Sequence, residues 1–166
     1  MSNNVDAWGK SVVESVIKNI KSQKEDMFKL GFLNKLSASD LNRNKIISIL
    51  RKYVHPEMEI GGGSAMVLHG LRSNTQDIDA AIGPPEFQNL LDRYKGKVET
   101  ALSGDRMFNI PGTPIDVHER SVNRSMVESM PGVKGLVTRR KALLKFYKNM
   151  NRPKDQKWIK ILEDIK

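Results

Sequence analysis

The sequence predicts an α+β fold: a small mixed β-sheet with packed helices, an N-terminal helical extension and C-terminal helices. Three observations predict it. Apolar residues recur at helical spacing near the start of the chain and again after residue 120. The middle of the chain holds short runs in which apolar and polar residues alternate. Glycine and proline punctuate those runs. The resulting order is helix, strand, helix, strand, helix, strands, helices, which packs helices on a small sheet.

Each element has a local reason. Between residues 6 and 30, Val12, Val13, Val16, Ile17, Ile20, Met27 and Leu30 keep the spacing of one helix face. Asp40 is placed to cap a helix from Leu41 to Val54, with Ile46, Ile47, Leu50 and Val54 inside. His55-Pro56 ends it, because the residue before a proline disfavours helix. Met58 to Ile60 reads as a short strand running into Gly61-Gly62-Gly63, and Ser64 to Leu71 as a helix. Asp77 to Ile82 reads as a second strand. Pro84-Pro85 opens a helix through Tyr94, since proline fits a first turn. Lys97 to Leu102, Arg106 to Ile110 and Thr113 to His118 read as strands; in the last, Ile115 and Val117 alternate with Asp116 and His118. Residues 123–150 and 153–165 read as basic amphipathic helices, broken at Asn151-Arg152-Pro153. The chain thus divides into a helical extension (1–55), a core (56–120) and basic C-terminal helices packed on it (121–166).

Composition narrows the function classes. At 166 residues the chain suits one compact domain with a helical extension. It holds no apolar run of membrane-spanning length, and MSNNVDAWGK lacks the pattern of a secretory signal. No cysteine is present, which excludes disulfides, a thiol nucleophile and thiolate zinc sites and fits a cytoplasmic location. The net charge of +9 is uneven. Residues 56–119 hold 5 Lys+Arg against 10 Asp+Glu, whereas residues 120–166 hold 13 against 4. Acidic side chains collect divalent cations and basic flanks meet phosphates; the plainer alternative is a set of solvated helix faces.

The chemistry concentrates in residues 61–82, GGGSAMVLHGLRSNTQDIDAAI. Gly62, Gly63 and Ser64 join a strand to a helix, where glycine lets backbone amides approach a phosphate and Ser64 adds a hydroxyl. The pattern matches neither the Gly-Lys-Ser/Thr loop nor the spaced three-glycine fingerprint, and a tight structural turn is the alternative. Asp77 and Asp79 stand two apart, so on a strand they share a face while Ile78 enters the core. Paired carboxylates repel and favour a bound cation; a solvated acidic edge is the alternative. Asp116, between Ile115 and Val117, shares its face with His118. If its strand lies beside that of Asp77 and Asp79, three carboxylates converge, enough for two ions bridging an attacking oxygen and a phosphate.

The glycine-serine turn followed by Asp77-x-Asp79 and a later single carboxylate resembles the nucleotidyltransferase superfamily that includes DNA polymerase beta, nearest to small abortive-infection, minimal and lincosamide-type members. The resemblance covers residues 57–166 and implies a nucleotidyltransferase core within the α+β fold. It implies that Asp77, Asp79 and Asp116 are catalytic and hold two Mg2+ ions. It further implies that Gly62, Gly63, Ser64, Arg72, Thr75, Arg139, Lys145 and Asp155 contact a nucleoside triphosphate. In the family pattern an arginine stands two places before the threonine that Thr75 matches; here that place is Ser73, and Arg72 precedes it. Near the C-terminus, Arg139 stands where a lysine is usual and Trp158 where an acidic residue is frequent, while Asp155 matches. Asp155 also reads as a helix N-terminal carboxylate. The implied reaction moves a nucleoside monophosphate to an acceptor hydroxyl, with an RNA end such as transfer RNA suggested by the basic flanks. An antitoxin-like protein partner is a further expectation, and no membrane partner is expected. The alternative is an inactive protein of this fold that binds nucleic acid or a partner. His69, Trp8 and Trp158 read as structural residues.

Overall fold

The computed structural model describes residues 40–165. The helix expected over residues 6–30, and Trp8, lie outside them. Arg43–Tyr53 forms α1, capped by Asn42, whose side chain accepts from the Lys45 N–H at 3.0 Å. The cap is therefore Asn42 and not Asp40. Leu41 is buried and pairs with Thr75 in an isolated bridge, which keeps the chain extended there and delays the helix start. Ile46 and Leu50 are fully buried.

Glu59–Gly61 forms β1, and Gly62–Leu68 forms the short helix α2. Ile78–Ile82 is β2 and Pro84–Tyr94 is α3, starting at its two prolines as expected. Glu99–Thr100, Arg106–Asn109 and Ile115–Glu119 form β3, β4 and β5. The long helix expected over 123–150 is not present as one element. A 3-10 turn at Arg124–Met126 leads into β6 (Val127–Glu128) and β7 (Leu136–Thr138) before α4 (Arg140–Met150). Pro131 opens the β6–β7 turn, and Gly132 and Gly135 take φ of 78° and 106° there, a conformation that ends a helix. A second 3-10 turn, Pro153–Asp155, precedes α5 (Gln156–Glu163). Among the described residues no helix is long and apolar enough to cross a membrane.

Among the described residues seven strands lie in the order β3-β4-β5-β2-β1-β7-β6. The sheet is mixed: β2 pairs parallel with β5 and β1 parallel with β7, while β1 pairs antiparallel with β2. Ile60, Ile78, Ala80, Ile115, Val117 and Phe108 point to one face and are buried with residues of α1, α2 and α3. Phe87 of α3 meets Phe108 edge-on, ring centroids 5.4 Å apart. Strand alternation sends Glu59, Gly61, Asp79, Asp116 and His118 to the opposite face. The polar residues of three adjacent strands thus line one surface, while their apolar neighbours anchor it.

Candidate active site

Asp79 and Asp116 are register partners on the parallel strands β2 and β5, and Gly61 faces Asp79 across β1. Asp77 lies one residue before β2 begins, so it is fixed by the loop rather than by ladder bonds. The glycine turn presses on this group. Gly62 has φ 54°, and a Cβ there would stand 2.7 Å from Asp79 Oδ2. At Gly63 a Cβ would stand 2.5 Å from Thr75 Oγ1 and 2.9 Å from Arg72 Nη1. Backbone, carboxylate, hydroxyl and guanidinium therefore meet because glycine leaves the room.

The carboxylates feel one another. The Asp77 carboxyl is pushed up to about 6, first by its sheltered position and then by the charges of Asp79 and Asp116; Arg72 and Lys154 offset this only in part. Asp116 is also raised, by burial first; the Asn109 side chain, which donates to it at 3.2 Å, counters that, and the Asp79 charge adds to it. Among the described residues no group of three His, Asp or Glu side chains is placed to hold one ion. The donor chemistry still suits magnesium, which takes one or two carboxylates and completes its shell with water and substrate phosphate oxygens. Asp79 with Asp77, and Asp79 with Asp116, supply such pairs.

Two clefts meet here. One, of about 610 Å³, includes Glu59, Asp79, Asp116, His118 and Lys145 in its lining. The other, of about 410 Å³, is lined by Gly63, Arg72, Thr75, Asp77, Lys154 and Trp158 among others. Gly62, Asp79, Phe146 and Arg152 belong to both. Several of these residues were not singled out from the sequence. Arg152 is held by Asp155, which accepts from its Nε at 2.8 Å, its Nη2 at 3.0 Å and its backbone N–H at 3.0 Å. Asp155 is only 1% exposed; it lines the smaller cleft itself and reaches the larger one through Arg152. Burial pushes its carboxyl up, but the Arg152 donors outweigh that and hold it below the usual range. Tyr147 is buried beside Arg72 and Asp155, and burial pushes its hydroxyl up to about 12, so it stays a neutral donor. His118 sits between two carboxylates, Nε2 3.7 Å from Asp79 and Nδ1 3.9 Å from Asp105. Its Nδ1 is buried without a hydrogen-bond partner.

Two expected contacts lie elsewhere in this conformation. Ser64 is buried and its hydroxyl donates to the Gly61 carbonyl at 2.8 Å. Arg139, at the start of α4, extends toward Glu128 at 3.9 Å and lines neither cleft. His69 is structural, as read: its Nε2 bonds the Thr138 carbonyl at 2.8 Å and ties α2 to β7.

No family model and no curated protein matches the chain. Solved structures similar to it include a candidate nucleotidyltransferase from Thermotoga maritima. That structure is 14% identical with a TM-score of 0.53, over 72% of this chain and 93% of that one. A looser likeness, TM-score 0.45 at 16% identity, is to ANT(2")-Ia in complex with adenylyl-2"-tobramycin, over 81% of this chain and 87% of that one. The chain shares the fold of the Thermotoga maritima structure.

Proposed function

We propose that this protein transfers a nucleoside monophosphate from a nucleoside triphosphate to an acceptor hydroxyl, releasing pyrophosphate. The observation that carries the reading is the position of Asp79, in register with Asp116, against Gly62 and common to both clefts. The smaller cleft suits the triphosphate: Arg72, Lys154 and Lys157 supply positive charge beside the Gly62-Gly63 backbone. The larger cleft suits the acceptor, whose hydroxyl oxygen bonds to the α-phosphorus as the bond to the departing pyrophosphate oxygen breaks. Asp116, with its raised pKa, takes the hydroxyl proton. Two magnesium ions, one on Asp79 with Asp77 and one on Asp79 with Asp116, each completed by triphosphate oxygens and water, would neutralise developing charge and acidify the hydroxyl.

The acceptor cleft favours a compact hydroxyl compound with an apolar portion. Leu102, Met107, Met126, Leu143 and Phe146 form its walls. Arg120 is engaged by Asp105 and Arg152 by Asp155, which leaves Lys145 as the one lining cation without a carboxylate partner among the described residues. The second reading is an RNA end, favoured by the exposed Arg140, Lys141 and Lys145 of α4. Incubation with each α-labelled nucleoside triphosphate, magnesium and either total RNA or a library of small hydroxyl compounds tests both. We expect label in one pool, and a loss of at least about 100-fold with Asp79→Asn. No transfer from any triphosphate to either pool, or full activity in Asp79→Asn, would sink the reading.

A further inference from the structure

Two departures from the superfamily pattern meet in the triphosphate cleft. Arg72 stands one residue before the usual arginine, and Trp158 occupies a place where an acidic residue is frequent. In the fold they touch: the Arg72 guanidinium carbon lies 4.7 Å from the centre of the Trp158 ring. The same guanidinium is fixed along its edge, where Nε donates to the Asn74 carbonyl at 2.7 Å. Its Nη1 reaches the Gly63 backbone, 2.9 Å from where a Cβ would stand. Lys157 brings a second cation to the ring, 4.6 Å from its centre. Trp158 is half-buried and packs against the core, so it offers a fixed surface.

We infer that Trp158 is a positioning residue: it holds the Arg72 guanidinium flat at the glycine turn, where it grips the triphosphate, and does not serve as a platform for the nucleobase. The inference rests on reading the smaller cleft as the triphosphate site. Arg72 rises from a loop, so its long side chain needs a support to hold one orientation at the glycine turn. A planar guanidinium stacked on an indole supplies it and keeps its other edge N–H groups free for an anion, a geometry that a lysine's point charge does not reproduce. Fixing a long side chain before the ligand arrives lowers the ordering cost of binding. A ring face covered by Arg72 is also closed to a base.

The test compares a ligand without a base to ligands with one. Calorimetry with magnesium and inorganic tripolyphosphate, and with the α,β-methylene analogues of ATP and UTP, is run on wild type, Trp158→Leu, Trp158→Phe, Arg72→Ala and Trp158→Leu/Arg72→Ala. Trp158→Leu should weaken all three ligands by a similar factor, roughly 3- to 30-fold, and Trp158→Phe should recover most of it. Arg72→Ala should weaken all three ligands by at least the Trp158→Leu factor, and adding Trp158→Leu should then cost nothing further. Weakening of the analogues with tripolyphosphate unchanged would make Trp158 a base platform and overturn the inference, as would additive losses. Should Trp158→Leu fail to fold by circular dichroism, Trp158→Met in wild-type and Arg72→Ala backgrounds decides: a penalty in the first alone supports coupling, and equal penalties, or none in either, overturn it. Wild type that binds none of the ligands removes the triphosphate reading itself, whereas wild type that binds and a Trp158→Leu that binds equally removes only this inference.

Discussion

At the residue scale the governing fact is the sheltering of carboxylates beside Asp79. Gly62, lacking a side chain, lets the backbone close on Asp79; Asp77 and Asp116 are raised first by burial, and the Asp79 charge adds to both. Without metal, between about pH 4 and 6 the folded protein keeps on Asp77 a proton that the unfolded chain, at the ordinary 3.8, has released. The stability this group contributes is complete below the unfolded value and lost as pH rises through about 6. The melting temperature of metal-free wild type should therefore fall relative to Asp77→Asn as pH is raised from about 4.5 to 7. A constant difference across that range would refute the raised Asp77 value. The shared facing of Asp79 and Asp116 was legible in the sequence because alternation fixes which way a strand residue points; Asp77, expected on the same strand, lies just before it and is placed by the loop. Arg152, His118's partner Asp105, and the Trp158 stack were not, because each depends on elements that meet only in the fold.

At the element scale the turn between α4 and α5 carries a functional load. Asp155 closes a capping box with Arg152 and holds its guanidinium by two further bonds, so one buried carboxylate both starts a helix and aims a cation into both clefts. Asp155→Ala should lower stability by about 2 kcal/mol, in line with charge-assisted hydrogen bonds, and weaken nucleotide binding beyond what unfolding explains. Denaturant melts and binding measured well below the transition check this; unchanged stability would contradict it. Helix α3 was legible to the residue because its prolines mark the start. The β6–β7 hairpin was not, because basic residues and apolar residues at near-helical spacing concealed it. Pro131, Gly132 and Gly135 were the available signal. Likewise, the pairing of Leu41 with Thr75 moved the first cap from Asp40 to Asn42, a tertiary effect that local sequence does not carry.

At the scale of the whole molecule, the mixed sheet separates two tasks. One face is apolar and anchors the strands, and the other presents acidic groups where two clefts join. The order of strands brings Asp116 beside Asp79 although 36 residues lie between them, and the parallel pairing of β2 with β5 sets them level. No three side chains form a metal cage among the described residues. The account therefore requires that magnesium and triphosphate complete each other's binding. Calorimetric titration of the α,β-methylene analogues with and without magnesium tests this most directly. Magnesium alone should bind weakly, in the millimolar range; the nucleotide should bind at least about tenfold more tightly with it, and Asp79→Asn should abolish that gain. Nucleotide binding indifferent to both magnesium and Asp79 would contradict the account.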